Sequence, residues 1–512
     1  MDFMARADRH HLKVNVYLSA LEPRWPDLAR AQRMIREAHL PESPAFFAYD
    51  ACWEGHLGPA AERRASDASW QAWVVERYGS VAAAEQDWRY LPPRVAGTLS
   101  GPTDEQLRQD GEWRVFVAAY RRFWDDEISR RYRAVRQAVR AVDPLHLLGA
   151  RSGYGGNGTP MYADLMPFDL ASGAAHLDFI SPEGYALQGG REQFLRGGLT
   201  SAYARQVGAG KPVFWAEYGV PLLWQVEPGQ YYPVETAEME PQRVYFQNML
   251  RFVRETGGSG CAGWWWPGGY RVDEKSDFGI VNPDGTLRPA ARELQQAASV
   301  YAGPWPSPPT DHLIEIDRDQ FVDGYAGIYT AKADAYVKEF LGGRTPGVRT
   351  AGTGTTSADT PALAVGNVPW NGHNPPKYLN AEFARVEVRV GHEWRRVANG
   401  ETLPLAAGPA QLRVVVTNTA EARWLPPGGE LAAGGIFLEV HEEGGRVEWR
   451  PLPEAVAYLG ETAFPSFTVE ARPGRTIEVV LELAAEKRTT FGEKFHLRME
   501  ARAEAAGGGA SR

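Results

Sequence analysis

Two glutamates close short apolar runs in the same manner. Lys211-Pro-Val-Phe-Trp-Ala-Glu-Tyr-Gly219 ends on Glu217, an aromatic residue and glycine, and Pro44-Ala-Phe-Phe-Ala-Tyr-Asp-Ala-Cys-Trp-Glu-Gly55 ends on Glu54 and glycine. An apolar run without polar alternation is the material of a strand buried on both faces, and a carboxylate at its far end stands at the rim of a parallel sheet, where pockets form. Alternation along each strand puts Asp50, Cys52 and Glu54 on one face, and Val213, Trp215 and Glu217 on one face. Two carboxyl groups that meet across a sugar-sized gap can break a glycosidic bond. One protonates the departing oxygen, and the other meets the oxocarbenium-like centre from the opposite side.

Strands and helices must deliver those groups, and the pattern of the chain supplies them. Apolar runs fall at residues 13–18, 45–52, 145–150, 177–181, 213–216 and 261–265, with amphipathic stretches between them at 26–39, 68–78, 115–142 and 242–255. Short strands alternating with helices of a dozen or more residues predict βα units around a parallel sheet. The run Gly303-Pro-Trp-Pro-Ser-Pro-Pro309 is a stiff connector, and Gly342 to Pro361, rich in Gly, Thr and Ser, reads as a long loop. Beyond it the period falls to two, as in residues 384–390, 411–417, 435–440, 476–483 and 494–500, which predicts a β-sandwich. The expected organisation is an α/β catalytic domain over 1–302, a connector over 303–363, an all-β sandwich over 364–505 and a disordered tail over 506–512. The aromatic, amide-rich segment Gly366 to Asn380 is a candidate either for sugar contact or for capping the sandwich.

The 512 residues allow two or three domains, and a net charge of -9 without basic runs excludes nucleic acid and anionic membrane as partners. No apolar stretch approaches the roughly 20 residues of a membrane span, so the chain reads as soluble and, as it stands, cytoplasmic. Cys52 and Cys261, each within an apolar run, read as buried thiols. His56, His146 and His176 have no metal-ligand spacing, and Gly153-Tyr-Gly-Gly156 lacks the Gly-Lys-Ser/Thr ending of a phosphate loop. Neither metal nor organic cofactor is expected. Flat indoles such as Trp264-Trp265-Trp266 suit the apolar faces of sugar rings.

On these residues the chain resembles clan A glycoside hydrolases, retaining enzymes built on a (β/α)8 TIM-type barrel, nearest to the family 42-type or family 5-type enzymes. The resemblance covers about residues 5–300. It implies that Glu54 is the acid/base ending the fourth strand and Glu217 the nucleophile ending the seventh. Tyr185, ending Asp178-Phe-Ile-Ser-Pro-Glu-Gly-Tyr185, matches the sixth-strand tyrosine that hydrogen-bonds the nucleophile. The last strand ends in tryptophan, as in the clan, which makes Trp266, with Trp264, the sugar platform. Trp70-Gln-Ala-Trp73, Arg77-Tyr-Gly-Ser80 and Trp88 resemble the helix and loop after the acid/base in family 42.

The chain departs from the clan in two respects. Trp53 stands where an asparagine precedes the acid/base, which leaves Asp50 and Glu183 as rival carboxylates and, with Trp53 and Arg151, as candidate substrate contacts. Only one strand, residues 13–18, precedes the acid/base strand where the barrel has three. The barrel is therefore expected to begin near its third strand, with Met1 an internal start and an export signal possible upstream. The expected function is a retaining O-glycosyl hydrolase acting on β-linked carbohydrate. A carbohydrate-binding barrel without turnover, a transglycosylase using the same pair, and a metal-dependent hydrolase are the alternatives. The sugar, the linkage and the oligomeric state are left open.

Overall fold

The computed structural model describes residues 2–222, 236–301, 303, 305–351, 356–359, 363–365, 368–370, 378–442, 446–471 and 474–501. Most of the 366–380 segment and the whole 506–512 tail lie outside the described residues. The chain forms two compact units, Met1–Ala65 with Gly101–Arg349, and Ser66–Ser100 with Thr350–Arg512.

In the first unit, parallel strands succeed one another in chain order. β1 (Val14–Tyr17) pairs with β2 (Phe46–Asp50) in the register Val16↔Tyr49 and Tyr17↔Asp50, and β2 pairs with β3 (Leu147–Gly149) through Tyr49↔Leu148. Single parallel bridges continue the array, Arg151↔Ser181, Ile180↔Val213 and Glu183↔Glu217. β4 (Phe214–Trp215) then pairs in parallel with β5 (Gly260–Cys261). Because every pairing is parallel, the C-terminal ends of these segments share one rim. Asp50, Arg151, Glu183 and Glu217 all lie there. Among the described residues no strand pairs with the outer edge of β1 or of β5.

The strands are shorter than the apolar runs that encode them. The stretch at 177–181 makes only bridges, and the run at 261–265 leaves the sheet after Cys261. Helices follow their sequence signals more closely. Asp27 caps Leu28–Glu37 by accepting the Arg30 N–H at 3.0 Å. Arg114–Arg140 buries Phe116, Tyr120, Phe123, Ile128, Tyr132, Val135 and Val139, spaced mostly at three to five residues. Just beyond it, Asp143 accepts the backbone N–H groups of Leu145 and His146 and the Tyr49 hydroxyl, the last at 2.7 Å. The helix end is thereby tied to β2.

The boundaries expected from composition need correction at two places. Residues 303–363 are not a bare connector and mobile loop. They hold β6 (His312–Ile316), the helix Tyr325–Leu341 and β7 (Pro346–Thr350), and β6 pairs with β7. Ile314, Ile316, Tyr325, Ile328, Tyr336 and Val348 share a core with Leu199, Tyr203 and Val207, so the part of this segment up to Arg349 belongs to the first unit. The proline-rich lead-in masked the helix.

The second correction concerns Ser66–Ser100, expected within the catalytic domain but folded with the second unit. Its helices Asp67–Tyr78 and Val81–Trp88 bury Trp70 between Trp73 and Trp88, with ring centroids 5.4 and 5.8 Å apart. The Arg77 guanidinium donates to the Gly492 carbonyl of the same unit.

The rest of that unit is two sheets. β8 (Ala381–Val390), β9 (Glu393–Arg396), β11 (Gly408–Asn418) and β14 (Glu461–Ala471) form one in the order β9-β8-β11-β14. β10 (Thr402–Leu405), β12 (Ile436–Glu442), β13 (Arg446–Pro451), β15 (Thr476–Ala485) and β16 (Thr489–Ala501) form the other in the order β10-β16-β15-β12-β13. Alternate residues of both, among them Val386, Leu412, Val414, Phe464, Leu438, Val479, Leu481 and Leu497, meet in a single core. This is the period-two pattern closing a sandwich.

Candidate active site

Glu217 leaves β4 by two residues and Glu183 leaves its neighbouring segment beside it, so the bridge between them sets both carboxyl groups at the rim. Glu54 comes from the turn after β2. Its φ of 47° is a left-handed conformation that costs a non-glycine residue roughly 1 kcal/mol and has to be held by its surroundings. Glu22, fully buried, supplies the hold. It accepts the Cys52 thiol at 2.9 Å, the Trp53 N–H at 3.2 Å and the Arg24 guanidinium at 2.9 Å. Arg24 also donates to the Trp53 carbonyl at 3.3 Å.

The glycines that follow each glutamate are required by close approach. A Cβ on Gly55 would lie 2.5 Å from the Phe168 ring, and one on Gly219 would lie 2.4 Å from the Trp264 carbonyl oxygen.

One carboxylate oxygen from each of Glu54, Glu183 and Glu217 lies within 4.8 Å of the others. The three differ in access and partners. Glu54 is 8% exposed and accepts the Tyr162 hydroxyl at 2.5 Å. Glu217 is 5% exposed and accepts the Tyr185 hydroxyl at 2.9 Å on one oxygen and Arg151 Nη1 on the other. Glu183 is fully buried, and neither of its oxygens has a hydrogen-bond partner among the described residues.

Arg151 is shared. Its Nε donates to Asp50 at 2.6 Å while Nη1 serves Glu217, and its guanidinium lies over the Trp53 ring at 4.3 Å and the Tyr17 ring at 5.5 Å. Burial pushes the Asp50 carboxyl up to about 6 against the pull of Arg151. Burial also raises Glu217, opposed by Arg151 and Tyr185. Glu183 is held well above the usual carboxylate range by burial and then by the charges of Glu217 and Glu54. Arg151→Met removes the counter-charge from two buried acids. It should cost about 3 kcal/mol at neutral pH, with a smaller loss near pH 5, below the raised value of Asp50, where that acid takes up its proton. Urea unfolding at the two pH values measures the difference.

The residues singled out by sequence thus divide. Glu54, Glu217, Glu183, Tyr185, Arg151, Asp50 and Trp53 come together. Glu183, expected as a substrate contact, has no exposed surface to offer one, while Asp50, as exposed as Glu217, is engaged by Arg151 Nε. Trp53, 39% exposed, meets Trp264 edge-on at 6.2 Å, so Trp264 belongs to the site's wall. Trp266, 62% exposed, is turned to solvent while its carbonyl accepts from Ile280 and Val281. The alternation that put it on the same face as Trp264 holds only within a strand, and β5 has ended by then.

Sequence reasoning missed Tyr162, Tyr17 and Glu22. Tyr17 ends β1 at the same rim and could have been found by the rule that found Glu54. Tyr162 sits in a loop without pattern.

Three carboxylates at this spacing could also present oxygen ligands to a hard divalent cation, although the Arg151 charge already engages Glu217 there. In the second unit Glu439, His441 and Glu482 form another such group, with Lys494 3.2 Å from Glu482. No helix among the described residues is long and apolar enough to cross a membrane.

No family model matches the chain, and no curated protein matches it. Among solved structures it is similar to a cold-adapted β-galactosidase from Rahnella sp. R3, at 12% identity and a TM-score of 0.48 over 92% of this chain and 81% of that one. A β-galactosidase from Halorubrum lacusprofundi gives 11% identity and a TM-score of 0.48 over 92% and 69%. A GH5_18 protein from Bifidobacterium longum, in complex with Manβ1-4GlcNAc, gives 14% identity and a TM-score of 0.39 over 68% and 85%. At such identities and TM-scores these likenesses assign neither family nor activity.

Proposed function

We propose that the chain is a retaining O-glycosyl hydrolase of β-linked carbohydrate, with Glu217 as nucleophile and Glu54 as acid/base. The observation that carries this reading is that one carboxylate oxygen of Glu54 and one of Glu217 lie within 4.8 Å of each other at the common rim of a parallel array. Retaining catalysis brings its two carboxyl groups close, about 5–5.5 Å apart, and the approach of these oxygens supports that arrangement. The array is then part of a (β/α)8 TIM-type barrel.

The partners of Glu217 fit its role. Arg151 and Tyr185 donate to Glu217, which favours the ionised form that attacks the anomeric carbon. Glu54, the more exposed of the two, gives its proton to the departing oxygen and in the second step takes one from the water that releases the sugar. Trp53 and Trp264 offer ring faces to the sugar.

A screen of aryl β-glycosides, with the anomeric configuration of the first product read by NMR, tests the proposal. A first product of retained configuration supports it, and an inverted one removes it. The Arg151–Glu217 ion pair favours a second reading, a carbohydrate-binding protein in which the acid is tied down. Sugar binding without any turnover would select that reading.

Tyr185→Phe deletes a donor to the nucleophile. It should lower kcat/KM by about 10-fold. It should also move the acid limb of the pH profile upward, because a carboxylate that loses a hydrogen-bond donor holds its proton to higher pH. A pH series of kcat/KM on the variant checks both.

A further inference from the structure

Asp50, Glu183 and Glu217 lie around the guanidinium of Arg151, which is already divided between Asp50 and Glu217, and Glu54 stands beside Glu183 and Glu217. If all four were ionised, the site would hold three uncompensated negative charges out of water. Glu183 is the least able of them to carry one. It is fully buried, and where Glu54 has Tyr162 and Glu217 has Tyr185 and Arg151, neither of its oxygens has a donor. A buried carboxylate without donors or a counter-ion is among the most costly arrangements in a protein, and taking up a proton relieves it.

We propose that Glu183 is a neutral carboxylic acid in the working protein, a positioning residue that carries a proton beside Glu54 and Glu217 so that their pair need hold only one negative charge. The groups facing it are Glu217, Glu54 and Asp50, the Arg151 guanidinium, and the phenols of Tyr185 and Tyr162. Of these only Arg151 favours an ionised Glu183; burial and the three acids oppose it, and they outweigh it. The kinetic consequence rests on the glycosidase reading: retaining chemistry needs one protonated and one ionised carboxyl across the sugar, and a third charge within 4.8 Å would drive protons onto both.

The test compares wild type with Glu183→Gln, an isosteric group that is always neutral, and Glu183→Met, an apolar one of similar length. Thermal unfolding is followed from about pH 4 to pH 8. The unfolded chain loses the Glu183 proton near pH 4.3, and the folded chain retains it to higher pH, so the native state binds more protons in between and wild-type stability falls as pH rises. Both variants lack that slope. Their melting temperatures should gain on wild type by about 3 °C or more between pH 4 and pH 8. A difference that stays flat over this range, or that turns in favour of wild type, overturns the proposal, and either variant alone suffices if the other does not fold. This arm needs no substrate, so it can fail while the glycosidase reading stands, and the reverse. With an active glycoside, Glu183→Gln should keep both limbs of the kcat/KM profile in place. A fall of both by about one unit or more would mean that a negative charge had been removed, and would overturn the proposal as well.

Discussion

Glu217→Gln is expected to lower kcat on an activated aryl β-glycoside by on the order of 10⁴-fold. The amide keeps the shape of the side chain and can still accept from Tyr185, so binding should survive while bond formation to the anomeric carbon is lost. Arg151 retains Asp50 as a partner, and the fold should hold. Glu217→Gly makes the same point from the other side. With the carboxylate gone, a small anion such as azide can enter from the vacated face and attack directly, giving a glycosyl azide of inverted configuration. An unchanged rate in Glu217→Gln, measured by release of the aryl group, would remove Glu217 from the chemistry. Loss of activity without azide rescue would leave it a binding residue only.

Glu217 was readable as a rim carboxylate because three local signals agree at one place: an apolar run too continuous to be half exposed, a carboxylate at its end, and a glycine that lets Trp264 approach. The same logic places Glu54 and, through the rim shared by parallel strands, Tyr185 and Arg151. What sequence could not supply is the partition of charge among the acids. Asp50 and Glu183 look like substrate contacts from alternation alone, and only the tertiary arrangement buries them. Ser66–Ser100 shows another limit. Its tryptophans mark a packed helix pair, but which core that pair joins depends on contacts such as Arg77 to Gly492, hundreds of residues apart. The helix Tyr325–Leu341 fails for a different reason, since the proline-rich lead-in drew the boundary too early and its apolar residues are only weakly confined to one face.

The acid/base assignment admits a test that separates Glu54 from its neighbour Glu183. Protonation of the leaving oxygen matters only when the departing group is a poor one. Glu54→Gln should therefore slow release of a sugar or simple alcohol by 10²- to 10⁴-fold, roughly the worth of a general acid, and slow release of a strongly acidic nitrophenol far less in the first step. With the nitrophenyl substrate the glycosyl-enzyme should accumulate, because the same residue is missing as base in the second step, and a burst of nitrophenol should precede slow turnover. Azide added to Glu54→Gly should release the intermediate with retained configuration, opposite to its product in Glu217→Gly. Glu183→Gln should show no such dependence on the leaving group, since Glu183 is fully buried and cannot reach the departing oxygen, whereas Glu54 has exposed surface and a tyrosine to orient it. If the dependence appears at Glu183 and not at Glu54, the two exchange roles, and the left-handed turn that holds Glu54 is a structural feature of the rim.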